Sequence, residues 1–285
     1  YFRRLANLWN KLGISVVYTP HKVIGEEYLP GDPAAYGPGA KIELKSCPLY
    51  AVNYENGTLC RDRLEKNIKC NFIGAYQSEN YISNIRLILF DLNKGNGHKA
   101  PGWENLNETN GGPILIINTG EWHFNKIVYS KTQNYNNEYP TGHAGVGEET
   151  EHKKRTEFYN NVLMNSVFTL APSGAGPNSI RFWEALSIGS IPVLLADTLE
   201  LPTLPETTNL HWENAIIRIK ESDVHKIPSI LNSIDNDEIK SRTRECIKIY
   251  DFLRNNYTGT VVQKNKHIIH YCCGSYDIGD FGGVA

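Results

Sequence analysis

The stretch Phe168 to Pro202 reads FTLAPSGAGPNSIRFWEALSIGSIPVLLADTLELP, and its residue types and spacing could bind a phosphorylated ligand. A short apolar run ending at Leu170 predicts a strand, and Ser173-Gly174-Ala175-Gly176-Pro177 predicts a loop of small residues. Asn178 or Ser179 can then cap a helix. Amides exposed at such a helix start, together with the helix dipole, make an anion site. Arg181 in the first turn adds a full positive charge suited to a diphosphate. Glu184 lies three residues on, shares that face of the helix, and could accept both hydroxyls of a ribose. Phe182 and Leu186 point to the other side, where a sheet would cover them.

Two blander patterns share these features. One is a well-capped βαβ unit with a surface Arg–Glu pair. The other is a dinucleotide-binding turn, since Gly174-x-Gly176 follows a strand and Asp197 ends the next one. Ser179 stands where that turn needs its third glycine, and Pro177 stiffens the loop. Asp235-Asn-Asp237 has the letters of a metal-binding DxD but falls between two helical patterns, where Asp237 is placed to cap the second. His267, His270, Cys272 and Cys273 are zinc-ligand types, but adjacent cysteines suit one tetrahedral site poorly. No metal is expected. No nucleophile elbow, Walker loop or HExxH is present.

The elements that must position these groups follow from periodicity. Residues 1–12 carry an apolar helical face and Ile14 to Tyr18 a short buried strand. Pro20 to Gly39 is a loop. Leu49 to Val52, Asn71 to Gly74 and Ile114 to Asn118 predict strands, and Tyr81 to Leu92 a helix. Two polar stretches, 93–112 and 130–152, predict long loops. From Lys153 onward helix and strand alternate: helix 153–165, strand 167–170, helix 179–188, strand 191–195, strand 215–219, helix 224–234 and helix 237–255. Such alternation predicts an α/β fold with a parallel sheet covered on both faces.

Composition bounds the rest. A chain of 285 residues has room for one large or two medium domains. A net charge of −2 gives no global field to recruit nucleic acid or an anionic membrane. No apolar run is long enough to span a bilayer. The six cysteines are scattered and read as reduced thiols, and the sequons at Asn56, Asn107 and Asn256 do not establish secretion. The first residue is Tyr1, so a leader or anchor could have been removed.

The segment resembles the signature of exostosin-like glycosyltransferases, family 47. The matching positions are Tyr159, Leu163, Ser166 to Gly174, Ser179 to Leu186, Gly189 to Val193, Asp197 and Leu201-Pro202. Upstream, Asn71-Phe-Ile-Gly74 with Ile85-Arg86 is similar to the family's Phe-x-Gly…Ile-Arg pairing. Pro20-His21 is similar to its Pro-His-Asp segment, with Lys22 in place of the Asp. The resemblance implies a GT-B-like arrangement of two Rossmann-like domains with parallel sheets facing across a cleft. The acceptor side would be 1–130, the nucleotide-sugar side 131–260, and the tail 261–285 could return to the first. It implies inverting transfer from a nucleoside-diphosphate sugar, UDP by default, to an oligosaccharide or glycan acceptor, with no cofactor. Carried over by position, Glu184 would bind ribose. Ser173, Gly174, Gly176, Asn178, Ser179 and Arg181 would face the diphosphate, joined by Arg86 from the other domain.

Inverting transfer also needs a base for the acceptor hydroxyl. Candidates are His21, Glu121 and His123, the last two in Gly120-Glu-Trp-His123 directly after a buried strand. Trp122 could stack on a sugar or pack between domains. A compact chain of this kind fits assembly of a surface glycan in the cytoplasm; the lumenal domain of a trimmed Golgi protein is the alternative. A catalytically degenerate glycan- or nucleotide-binding protein and an NAD-dependent Rossmann enzyme remain the competing functions.

Overall fold

A computed structural model describes residue 9 and residues 11–29, 42–61, 66–76, 78–79, 81–94, 112–119 and 146–257. The chain enters through β1 (Val16–Thr19) and β2 (Glu43–Ser46), which pair in parallel. A short helix α1 (Val52–Glu55) leads to β3 (Ile68–Gly74), α2 (Ile85–Lys94) and β4 (Ile114–Asn118). Helix α3 (Val146–Met164), β5 (Ser166–Pro172), α4 (Ile180–Ile188) and β6 (Ile191–Leu195) follow. The last elements are α5 (Trp212–Ala215), β7 (Ile217–Arg218), a 3-10 turn (Glu221–Lys226), α6 (Ile227–Ser233) and α7 (Asn236–Tyr257).

Five strands form one parallel sheet in the order β4-β3-β5-β6-β7. Alternation along the strands sends side chains to two opposite cores. Phe168, Leu170, Ile191, Val193 and Leu195 meet Ile85 and Leu89 of α2 and Ile227 and Leu231 of α6 on one face. Ala171, Leu194 and Ala196 meet Phe182, Trp183 and Leu186 of α4 and Cys246, Ile249 and Leu253 of α7 on the other. Buried runs such as Ile191–Leu195 are therefore apolar throughout, as a doubly covered parallel strand requires. Removing one such side chain, Phe168→Ala, would cost about 3–5 kcal/mol.

The parallel α/β class is as expected; its partition is not. Strands β3 and β4 precede residue 130 yet lie in the same sheet as β5, β6 and β7. The long segment between β4 and β5 is a crossover within this sheet, which parallel pairing demands, so it does not separate two sheets. The break between sheets falls instead between β2 and β3. A second full Rossmann-like sheet facing this one is not among the described residues, and the tail 261–285 lies outside them.

Smaller corrections have local causes. The expected strand over 49–52 is displaced to Glu43–Ser46, an edge segment that buries only alternate residues, while Pro48 cannot donate to a ladder. Ala215 ends α5, leaving β7 only Ile217–Arg218. The helix expected over 224–234 divides at Ile227, with Pro228 in the first turn of α6, where a missing N–H costs nothing. Asp235, not Asp237, caps α7: its Oδ1 accepts the Asp237 and Glu238 amides at 2.9 and 2.8 Å. Asp235 thus serves as the cap, and Asp237 lies within the first turn of the helix.

The β1–β2 unit is bolted to the large sheet. Val23 bridges Leu199, the Ile24 amide donates to Thr198 at 2.9 Å, and the Glu200 amide donates to Lys22 at 3.0 Å. Lys22 Nζ lies 2.5 Å from Glu200 Oε1. Arg61 adds a two-toothed contact to Asp251 on α7, at 3.0 and 2.6 Å.

Candidate functional site

The strand order dictates where a ligand would sit. The chain runs from β3 outward to β4, then crosses back to build β5, β6 and β7 on the other side of β3. The reversal opens a crevice beyond the carboxyl ends of β3 and β5, where open α/β sheets bind ligands. Helix α2 starts on one flank of this crevice and α4 on the other, on opposite faces of the sheet.

Each of these helices carries arginine as its second residue: Arg86 in α2 and Arg181 in α4. The two guanidiniums stack over the same ring, Phe72 of β3, at 5.7 and 4.8 Å from its centre. Arg86 also lies 4.6 Å from the Tyr81 ring. Its Nε donates to the Ser173 carbonyl at 2.8 Å and its Nη1 to the Ala75 carbonyl at 3.2 Å, so it spans the ends of β5 and β3. Arg181 Nη2 donates to the Ile73 carbonyl, and its buried Nε has no partner among the described residues. Burial, and then repulsion from Arg181, pushes the Arg86 guanidinium down to about 9. Two partly desolvated cations that repel one another form a place where a doubly charged anion would be stabilised. Arg86 therefore reaches the crevice from the same sheet as Arg181, not from a second domain.

Close backbone approach makes room for both side chains. A Cβ on Gly74 would lie 3.1 Å from Arg181 Nη2, and one on Gly174 would lie 2.9 Å from Arg86 Nη2. The small-residue loop is more internally bonded than the sequence implies. The Gly174 amide donates to the Gly176 carbonyl at 2.9 Å, so it does not point at a ligand. The Ser179 amide is taken by Asn178 Oδ1 at 2.8 Å, and Trp183 Nε1 donates to the same oxygen at 2.9 Å. Asn178 Nδ2 donates to the Pro20 carbonyl at 2.6 Å. Ser179 holds the N-cap position with no side-chain capping bond. With the Gly174 and Ser179 amides engaged, the arginines are the charge that this end of the sheet offers an anion.

Glu184 lies one turn into α4 and is 3% exposed. Its Oε2 accepts from Tyr159 Oη at 2.7 Å and its Oε1 from the Asn53 amide at 3.2 Å. Burial raises its carboxyl, opposed by these two hydrogen bonds and by Arg181. Burial and Glu184 together hold the Tyr159 phenol well above its usual range. The carboxylate thus backs Arg181 and ties α4 to α1 and α3. Tyr159 belongs to the sequence signature; Asn53 does not, because its contribution is a backbone amide that any residue could supply.

His21 comes to the same place from the β1–β2 unit. Its imidazole packs on the loop so closely that a Cβ on Gly176 would lie 2.5 Å from Nδ1. Nδ1 is buried without a partner among the described residues, and burial lowers the imidazole's pKa. Glu121 and His123, the other base candidates, lie outside the described residues, as do Trp122 and the His267–Cys273 cluster. Cys60, Cys70 and Cys246 are free thiols, and burial pushes Cys246 up to about 12. No described helix is long and apolar enough to cross a membrane.

Known proteins share this region. Residues 76–234 match the exostosin GT47 domain, which takes in α2 with Arg86, the small-residue loop, Arg181 and Glu184. The exostosin-1 homolog of Caenorhabditis elegans is 34% identical over 98 residues, 34% of this chain and 25% of that protein. A probable glucuronosyltransferase of Oryza sativa subsp. japonica is 40% identical over 86 residues, 30% of this chain and 20% of its own length. The probable glucuronoxylan glucuronosyltransferase IRX7 of Arabidopsis thaliana is 34% identical over 82 residues, 29% of this chain and 18% of its own length. The chain thus spans a quarter or less of the curated relatives it matches. With the domain match covering more than half its length, the chain belongs to the exostosin GT47 family.

Proposed function

We propose that this protein is an inverting, metal-independent glycosyltransferase that moves a sugar from a nucleoside-diphosphate donor to a glycan acceptor. The observation that carries this is the pair Arg86 and Arg181, set symmetrically at the starts of α2 and α4 across the crevice. UDP is the nucleotide to test first. A uronosyl donor is the sugar to test first, since two of the relatives above are named as probable glucuronosyltransferases.

The acceptor oxygen attacks C1 of the donor sugar while the bond from C1 to the diphosphate oxygen breaks. Negative charge then builds on the leaving diphosphate, and Arg86 and Arg181 stabilise it where water is excluded. The acceptor proton passes to His21. Burial of Nδ1 leaves Nε2 as the accepting nitrogen, and a lowered imidazole pKa keeps it neutral and ready near pH 7. In the GT-B arrangement we propose, the acceptor approaches from the side of the β1–β2 unit that carries His21.

Lys22, standing where the family has an acid, favours one competing reading: a member that binds donor without transferring it. Thermal unfolding with UDP, GDP, CMP or NAD, followed by assays of donor hydrolysis and transfer, separates the three. Stabilisation by a nucleoside diphosphate that Arg181→Ala abolishes, together with turnover, supports the proposal. Binding without turnover supports the competing reading, and stabilisation by NAD alone overturns both.

A further inference from the structure

We infer that Asn178 is a positioning residue for His21, tying the Pro20–His21 peptide to the loop that precedes α4, rather than a ligand of the donor. This rests on the reading above, in which His21 takes the acceptor proton. Asn178 is 5% exposed and stands just ahead of the Ser179 N-cap. Two N–H groups fix which way its amide points. The Ser179 amide and Trp183 Nε1 both donate to Oδ1, at 2.8 and 2.9 Å. Nδ2 is left to donate outward, and it meets the Pro20 carbonyl at 2.6 Å, across 158 positions of chain. Both lone pairs of Oδ1 are used, so the carbonyl end of Asn178 has nothing left to offer a ligand.

Both ends of this tie are stiff. Trp183 is fully buried and lies edge-on to Phe182 and Trp212, with ring centres 5.0 and 6.2 Å away. At the other end, the Pro20 ring fixes its own φ, so holding the Pro20 carbonyl sets the direction in which the chain leaves toward His21. The His21 amide is held as well, by Thr19 Oγ1 at 3.3 Å. The imidazole presses on the same loop at Gly176. Bonded and packed groups thus run from the core indole to the imidazole through one amide. Lys22, Val23 and Ile24 fasten the next residues to Thr198, Leu199 and Glu200, beyond β6. Asn178 instead fastens His21 to the loop beside Arg86 and Arg181. A base must stand within hydrogen-bond reach of the proton it takes, and a misplacement of about 1 Å can cost about 10²-fold in rate.

The test is a double-substitution cycle on the full chain with Asn178→Asp and His21→Ala. It is read as single-turnover release of UDP from UDP-glucuronic acid with an oligosaccharide acceptor, and as titration with UDP. Asn178→Asp keeps an oxygen for the Ser179 amide and the indole but sets a second oxygen against the Pro20 carbonyl. Alone it should slow turnover about 10–10²-fold and leave UDP affinity nearly unchanged. In His21→Ala it should slow turnover no further, because no imidazole remains to be misplaced. A loss of the same size in both backgrounds, a loss confined to UDP affinity, or no loss overturns the positioning role and leaves the base and the donor site standing. If Asn178→Asp does not fold, Asn178→Ser runs the same cycle and the same outcomes decide. Wild-type turnover in His21→Ala overturns both the base and the positioning role. A wild type that neither binds UDP nor releases it from the donor overturns the proposed function as well.

Discussion

Helices α2 and α4 begin at the same crevice with arginine in the same position, yet different structures stand behind them. Arg181 is backed by Glu184, which Tyr159 and Asn53 hold in turn. Arg86 is backed by no carboxylate among the described residues; carbonyls of two strands and two aromatic rings hold it. The α4 cation is thus compensated before ligand arrives, and the α2 cation is not. One flank of the crevice is prearranged by an acid; the other is held by neutral carbonyls, which leave the Arg86 charge for an anion to meet.

Substitutions can break this contrast, beginning with the largest effect. His21→Ala should lower kcat about 10²–10⁴-fold with donor affinity nearly unchanged, since the imidazole packs on the loop before α4 rather than on either arginine's hydrogen bonds; single-turnover and binding assays together check this. Its acid limb should be informative too. If the neutral imidazole is the base, as proposed, burial should move the acid limb of kcat/KM below that of an ordinary histidine. A limb above the ordinary histidine range would point to another base.

Arg181→Ala and Arg86→Ala should each weaken UDP binding about 100-fold, the loss of one or two charge-assisted hydrogen bonds. Lysine should not rescue either site, because it lacks the planar fork. The two should differ in stability: Arg86→Ala frees two carbonyls that join β3 to β5, so its Tm should fall further than that of Arg181→Ala. Equal falls would erase the contrast.

Glu184→Ala should cost about 1–3 kcal/mol in chemical denaturation, because the Tyr159 hydroxyl and the Asn53 amide lose their acceptor. Donor affinity should fall by a smaller factor than in Arg181→Ala. The smallest effect is expected from Lys22→Ala, which frees the β1–β2 unit at one of several ties. A few-fold loss in kcat, no change in donor affinity, and recovery in the reversed pair Lys22→Glu with Glu200→Lys would show that the ion pair positions His21.

The α4 flank was legible in sequence because everything it needs is local: an apolar run, small residues, a capping pair, then Arg181 and Glu184 at helical spacing. Those features gave β5, α4 and β6 nearly to the residue. The α2 flank was legible only by resemblance, and then on the wrong domain, since nothing in Ile85-Arg86 says which sheet α2 packs against. Glu221, whose carboxylate accepts from Ser173 Oγ at 3.0 Å, left no local signal at all. It lies among Lys220, Ser222 and Asp223 like any solvated turn, and only the return of β7 to the sheet brings it beside Ser173. Strand β2 was missed for a related reason: an edge strand that buries every second residue looks polar. Even the loop glycines carry this lesson, for Gly174, its amide already engaged, admits Arg86, and Gly176 admits His21.

Both arginines belong to one sheet, and that has a kinetic meaning. If each came from a different domain, the diphosphate clamp would exist only after closure, and donor and acceptor could bind in either order. On the proposed function, a clamp complete on one unit would hold the donor before any acceptor arrives and keep the spent nucleotide after the glycan product leaves. The expected order is then compulsory, donor on first and nucleotide off last. Free nucleotide should then compete with the donor and show non-competitive inhibition against the acceptor.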